Sequence, residues 1–465
     1  MLLQLSRGVS AMQFTSFQEV VTYMESFTNL EKQTDHYTTR TYRLDRMRAI
    51  LSFIGNPEQT FKKIHLAGSK GKGSTASYLA SGLTAIGYKT GLYVSPHLVD
   101  YRERFTLSGT FFPDTLLIEA GNELRRRLEG FRFSDQWGET YPTTFELFTA
   151  FAYLLFFLTG CEWAVIETGL GGRLDATNTI VPVACVLCPI ELEHTKILGD
   201  TLSMIAYEKS KIIKHRVPCF IGYQEPEVME VFCKEAQSQE STVTKLSEEL
   251  LTYSYKTTNN KEVVEYWWRD KTHEVLTLSM MGKVQAQNCA LALLVLRKLG
   301  LFGEQTLAAL QQNILPGRFQ KIAEKPDIYL DGAHTTHSLA ALLESFSSLY
   351  PSEENTIIYG ALEDKDHTHM GSLVLDHFTH VIISRPGTFK KSDITLIEQK
   401  LRTLASTRNK VYDIRLLSDN KEALVCAMSS TPRSAAILVC GSFYLAGGIK
   451  TAYDSLGRNN VIKLA

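Results

Sequence analysis

The sequence predicts an α/β protein of two units, each on a mostly parallel sheet: a larger one over residues 1–312 and a smaller one over 313–465. Three observations predict it. Short β-rich runs alternate with helical patterns along most of the chain. Two glycine-rich turns each follow a strand-like run. The pattern then breaks at Leu315-Pro316-Gly317-Arg318 and a fresh α/β series begins.

Lys63–Ala67 reads as the first strand and runs into a glycine-rich turn. Thr75–Ile86 then carries apolar residues at helical spacing, and Gly87 stands where a left-handed cap ends a helix. Gly91–Val94 is the next strand. Phe145–Leu158 is a helix, Trp163–Glu167 a strand ending at the second glycine turn, and Val183–Cys188 a further strand. Both turns therefore lie at the carboxyl ends of strands, where open parallel sheets bind ligands. Residues 224–282 are richer in Glu, Lys, Ser and Thr. Their hairpin-like segments, Val263–Arg269 and Glu274–Met280, suggest a small appended sheet. Lys283–Leu299 is a helix. Beyond the break, strands Ile328–Leu330, Thr356–Tyr359, Val381–Ser384 and Ala436–Cys440 alternate with helices His337–Leu349, Leu396–Ala405 and Asn420–Met428.

Composition narrows the function classes. A hydrophobic fraction of 44% in 465 residues supplies real cores. With 49 Lys+Arg against 50 Asp+Glu, no global basic field favours nucleic acid. The longest apolar stretch, Leu147–Leu158, has 12 residues where a bilayer span needs about 20, so it reads as a buried helix. The N-terminal stretch to Phe14 lacks the apolar core of a secretory leader. Among eight scattered cysteines only Cys185 and Cys188 form a CxxC, in an apolar run with no second pair, which fits a buried strand better than zinc. Reduced thiols, a cytoplasmic location, a monomer and no membrane or nucleic-acid partner are the expectations.

Two segments carry the chemistry. In His65-Leu-Ala-Gly-Ser-Lys-Gly-Lys-Gly-Ser-Thr75, a glycine turn opens a helix whose N–H groups can replace water around phosphate oxygens, with Lys72 adding charge. The spelling departs from G-x-x-x-x-G-K-[ST], because Gly73 separates Lys72 from Ser74. In Val165–Asn178, Glu167 ends a strand beside that loop, where Mg²⁺ finds a hard oxygen; a solvated strand end is the alternative. His194 is equally open between a structural hydrogen bond and a metal ligand.

Taken in order, GSKGKGST (68–75), YVSPHLVDYRERF (93–105), IETGLGGRLDATN (166–178), LEHTKILGD onward (192–214), LPGRFQ (315–320) and DGAH (331–334) resemble the folylpolyglutamate synthases and bifunctional dihydrofolate synthase/folylpolyglutamate synthases of the Mur ligase superfamily. The resemblance spans about residues 60 to 450. It implies a P-loop α/β ATPase domain followed by a smaller α/β domain. The implied reaction is an ATP- and Mg²⁺-dependent addition of L-glutamate to a reduced folate or dihydropteroate, through an acyl phosphate. Another Mur-type amino-acid ligase, or an ATP-binding protein without turnover, stands as the alternative.

The same resemblance implies roles. Gly71, Lys72, Gly73 and Ser74 cradle ATP phosphates. Ser95, Glu167 and His194 hold Mg²⁺, joined by Lys209 when its amine is carboxylated; the plain alternative for Lys209 is an unmodified lysine. Asn288 lies on the adenine side, or is an ordinary helix amide. Arg318 and Asp331 close over ATP, or form a linker salt bridge, and His334 joins Asp331 as an orienting group at the reaction centre. Thr143, Thr144, Phe145 and Glu146, with Leu174, Asp175 and Ala176, bind the pterin substrate; the two threonines can also cap the following helix. Three departures accompany the match: Thr335-Thr336 after DGAH where the family reads Asn-Pro, Glu193 where it reads Asp, and a loosely matching stretch over 29–47.

Overall fold

The structure, a computed structural model, describes residues 13–29, 43–134, 137, 141–258, 261–387 and 391–458. Most of the N-terminal stretch read for a leader, and most of the 29–47 stretch, lie outside the described residues.

Three sheets organise the described residues. The largest holds β1 (Lys62–Ala67), β2 (Thr90–Tyr93), β3 (Phe105–Leu107), β4 (Thr110–Phe111), β5 (Trp163–Glu167), β6 (Ala184–Leu187), β7 (Cys219–Ile221) and β8 (Val243–Lys245) in the order β4-β3-β2-β5-β1-β6-β7-β8. Only β3 is reversed, pairing antiparallel with β2 on one side and β4 on the other. A three-stranded antiparallel sheet follows from β9 (Leu250–Thr258), β10 (Lys261–Trp268) and β11 (His273–Leu278). The last sheet contains β12 (Gln320–Ala323), β13 (Asp327–Leu330), β14 (Thr356–Tyr359), β15 (His380–Ile383), β16 (Asp413–Leu416) and β17 (Ala436–Cys440), ordered β12-β13-β17-β14-β15-β16 and parallel except at β12. The expected mostly parallel α/β fold is what forms.

Strand β1 lies between β5 and β6, and its onward connection leads to β2 while that of β5 leads to β6. Connections departing in opposite directions open a crevice at the strands' carboxyl ends. The register sets Leu66 opposite Glu167, so both glycine turns emerge into that crevice side by side.

Helices cover both faces. Lys72–Ala85 and Lys283–Lys298 share one core with the three-stranded sheet. On the other face Phe17–Glu25, Leu44–Ile54, Asp114–Arg127 and Thr144–Leu158 pack together. Thr144–Leu158 is apolar all round because it is buried from Thr144 through Phe156 apart from Phe145, and each large side chain it buries contributes about 1.5–3 kcal/mol. Among the described residues, no helix is long and apolar enough to cross a membrane. Cys185 and Cys188 are buried free thiols at β6, their pKa values each pushed up to about 12 by burial, in keeping with the strand reading of the CxxC.

Two details differ from the sequence reading. The first glycine turn opens its helix at Lys72, three residues before the expected Thr75, because Gly71 itself is the cap. The polar 224–282 stretch begins with a helix, Pro226–Ser238, whose sparse buried stripe of Val228, Phe232 and Ala236 was hidden by its polar composition. The last sheet is likewise covered on both faces, and Leu98, from the loop after β2, buries among its apolar side chains.

Candidate active site

The crevice is built from backbone first. Gly71 caps the helix in a left-handed conformation (φ 78°), and no side chain caps the turn. The N–H groups of the first helical turn are thus left for an anion. A Cβ on Gly71 would lie 2.3 Å from Asn288 Oδ1, and one on Gly73 would lie 3.2 Å from Glu167 Oε2. Gly71, with its left-handed backbone, is required as glycine for this approach, and Gly73 leaves Glu167 little room to spare.

Around it stand the side chains. Lys72 Nζ lies 3.8 Å from Glu167 Oε1 and 3.4 Å from the Ser69 carbonyl, both long contacts. Glu167 is buried, and its Oε2 accepts the Ser95 N–H at 3.1 Å. Burial raises the Glu167 pKa against the pull of Lys72, the Ser95 N–H and the more distant Arg318 and Lys209. Ser74 is buried at the helix start. Lys209, on the helix Leu202–Ser210, reaches behind the loop to donate to the Gly68 carbonyl at 2.8 Å and to Glu193 Oε1 at 3.3 Å. Burial brings its amine down to about 8 although Glu193 opposes the shift.

His194 differs from the others in being exposed, with a left-handed backbone (φ 49°), and its charge acts on Glu193. Among the described residues, no three His, Cys, Asp or Glu side chains converge as a metal cage. Glu167, beside the glycine turn and against the Ser95 backbone, suits Mg²⁺, which commonly takes one or two carboxylates and completes its shell with phosphates and water. Asn288 is buried on Lys283–Lys298, with its Nδ2 donating to Gln285 at 3.2 Å and its Oδ1 facing the glycine turn.

From the last sheet, Asp331 follows β13 and accepts from Phe319 N at 2.8 Å and Ala333 N at 2.7 Å. Burial raises its pKa although the Arg318 charge lowers it. No direct ion pair joins Arg318 to Asp331 among the described residues; the guanidinium lies 4.8 Å from the Phe443 ring. His334 Nδ1 sits 2.8 Å from the Gly332 carbonyl, so Nδ1 carries the proton and Nε2 is left as an acceptor. The charge of Lys70, then burial, brings its pKa down to about 3.

The segments expected to bind the pterin lie in the adjoining wall. Thr143 caps Thr144–Leu158: its hydroxyl accepts from Glu146 N at 3.2 Å while Glu146 Oε2 accepts from Thr143 N at 2.7 Å. Thr144 donates to the Phe27 carbonyl, and the Phe145 ring packs against Gly169 of the second glycine turn. Glu146 is also ion-paired to buried Arg46 at 3.1 Å. Asp175 is buried, accepting from Thr177 and from Leu170 N, with Leu174 half-buried and Ala176 buried beside it. The carboxylates of Glu146 and Asp175 thus hold backbone in place.

Sequence reasoning missed Lys70, Glu191 and Arg46, and read Glu193 only as a departure from the family's Asp. Lys70 was legible inside the glycine motif. Arg46 sits in a helix about a hundred residues from its partner, and nothing local announces the pairing.

These features are those of a Mur-type ligase: residues 66–296 match the Mur ligase middle domain and residues 317–443 the Mur ligase, glutamate ligase domain. The chain is 31% identical to folylpolyglutamate synthase of Lacticaseibacillus casei, over 94% of this chain and 98% of that one. The structure of E. coli FolC in complex with DHPP and ADP superposes with a TM-score of 0.78 at 26% identity, covering 96% of this chain and 99% of that one. Mycobacterium tuberculosis folylpolyglutamate synthase complexed with ADP gives a TM-score of 0.82 at 24% identity, covering 94% and 98%, a likeness of fold. The chain belongs to the folylpolyglutamate synthase/dihydrofolate synthase family.

Proposed function

We propose that this chain is an ATP-dependent ligase that adds L-glutamate to folates, with dihydropteroate as a second acceptor. Residues 1–312 form its ATP- and folate-binding unit and 313–465 its glutamate ligase unit. The observation that carries this reading is the uncapped helix start at Lys72 with Glu167 and Ser95 beside it.

In this reading the N–H groups of Lys72, Gly73 and Ser74 receive ATP phosphates, and Lys72 exchanges its long contact with Glu167 for a phosphate oxygen. Asn288 borders the adenine side, and Arg318 and Asp331 close from the second unit. Glu167 and Ser95, with His194 and a carboxylated Lys209, hold Mg²⁺, whose chemistry is to neutralise phosphate charge. An amine near 8 has a substantial free-base share at neutral pH, which carboxylation requires: its lone pair forms the bond to CO₂ and a proton leaves.

Thr143, Thr144, Phe145, Leu174 and Ala176 line the pterin so that its carboxylate faces the phosphate turn, and Glu146 and Asp175 serve it by fixing the backbone of those two segments. That carboxylate takes the phosphoryl group, and the glutamate amine displaces phosphate through a tetrahedral intermediate. His334, neutral at working pH, offers Nε2 as a fixed acceptor that orients the amine.

The test supplies ATP, Mg²⁺ and glutamate with tetrahydrofolate or dihydropteroate, and weighs the products. A gain of one glutamyl residue with stoichiometric phosphate release is expected. Turnover with a nucleotide-sugar acceptor alone, or no glutamate-dependent phosphate release, overturns the reading.

A further inference from the structure

Lys70 lies in the glycine turn two residues before Lys72, yet its charge acts in a different direction. Its backbone N–H and that of Ser69 are tied to the Pro189 carbonyl, at 3.1 and 2.8 Å. The Ser69 hydroxyl donates to the Glu191 carbonyl at 3.0 Å. The 189–193 segment is thereby clamped against the turn. Its Glu191 carboxylate reaches the second unit, where it accepts from Thr335 Oγ1 at 3.3 Å and lies 3.5 Å from His337 Nδ1. Lys70 therefore stands on the seam between the units. Its charge is felt by Glu191, Glu193 and Lys72 on one side and by Asp331, His334 and Lys365 on the other.

The Lys70 ammonium is shut off from solvent and makes no hydrogen bond. Glu193 Oε2 stands 3.7 Å away, beyond hydrogen-bond length, and the other oxygen of that carboxylate already serves Lys209. Three donors on a buried cation are left unmet, and such a group is expensive to keep unless an anion completes it. The neighbouring groups cannot do the same work. His334 is neutral, Arg318 lies against Phe443, and Lys365 is paired to Asp364 at 2.9 Å.

We propose that Lys70 binds a carboxylate of the incoming dicarboxylic amino acid, holding its amine between the phosphate turn and the Asp331–Thr335 loop. This rests on the glutamate-ligase reading. The amine donor must approach the acyl phosphate from the side facing the second unit, and it arrives carrying two carboxylates. Lys72 serves the phosphates, and Lys70 serves the amino acid.

The wild-type chain is first shown to turn over glutamate; failure there removes the proposed function itself. Steady-state kinetics then compare Lys70→Gln and Lys70→Arg with wild type, folding being checked by thermal melts. For Lys70→Gln the glutamate KM rises about 10- to 100-fold while the ATP KM changes less than about twofold, and Lys70→Arg recovers part of the loss. The α-amide and γ-amide of glutamate serve as competing amine donors. Lys70→Gln loses wild-type discrimination against one of them. A raised ATP KM with unchanged glutamate KM, or full discrimination against both amides in the variant, overturns the proposal.

Discussion

Two acid–base pairs, one fully buried and one partly so, distinguish the wall of this protein from its working centre. Arg46 and Glu146 meet as a fork, Nε to Oε1 at 3.1 Å and Nη2 to Oε2 at 3.2 Å. The guanidinium also donates to the Tyr141 carbonyl at 2.8 Å and lies 4.0 Å from the Phe133 ring centre. Lys72 and Glu167 approach only to 3.8 Å with no hydrogen bond between them. A planar fork that engages both carboxylate oxygens is a fixed strut. A point charge held loosely beside a carboxylate at an uncapped helix start is free to change partners. The difference shows that burial of charge does not by itself mark a site; incomplete satisfaction does.

Breaking the strut has the largest expected effect. Arg46→Met strands the Glu146 charge and lowers unfolding free energy by about 3–5 kcal/mol in denaturant titration. A loss below about 1 kcal/mol would show that the pair contributes little. Lys72→Ala, by contrast, leaves the melting curve close to wild type while ligase turnover falls about 10²–10³-fold or more. Near-normal turnover removes Lys72 from the phosphate site.

Glu167→Ala tests the other half of the loose pair: the Mg²⁺ concentration for half-maximal activity rises about tenfold or more. An unchanged metal titration speaks against ligation. A smaller effect concerns His65, whose Nε2 donates to Thr177 Oγ1 at 2.8 Å while its Nδ1 has no partner. Burial, with the Lys214 charge, brings it down to about 3 from 6.5. The neutral ring's stabilisation is complete above pH 6.5 and is lost as pH falls toward 3, with a slope of up to about 1.4 kcal/mol per pH unit. His65→Asn should flatten the fall in stability between pH 7 and pH 5; an equal fall in both proteins refutes the assignment.

Local sequence determined much of the architecture. Strand Trp163–Glu167, the phosphate turn and the helices Thr144–Leu158 and Lys283–Lys298 were readable because each is an apolar run punctuated by glycine, and that punctuation acts on the backbone residue by residue. The placement of Lys72 near Glu167 was also legible, since the glycine turn that carries Lys72 follows one strand and Glu167 ends its parallel neighbour. The helix Pro226–Ser238 was not, because the polar composition of the surrounding 224–282 stretch masked the helical spacing of Val228, Phe232 and Ala236.

Tertiary structure alone decided which charges are spent and which are left over. Arg46 became a strut only when folding carried it to Glu146, 100 positions away. Lys70 became an unsatisfied cation only when the 189–193 segment and the Asp331–Thr335 loop closed around it. Backbone preference is a property of neighbours in the chain, whereas the satisfaction of a charge depends on every group brought within a few ångströms of it, whatever its distance in sequence.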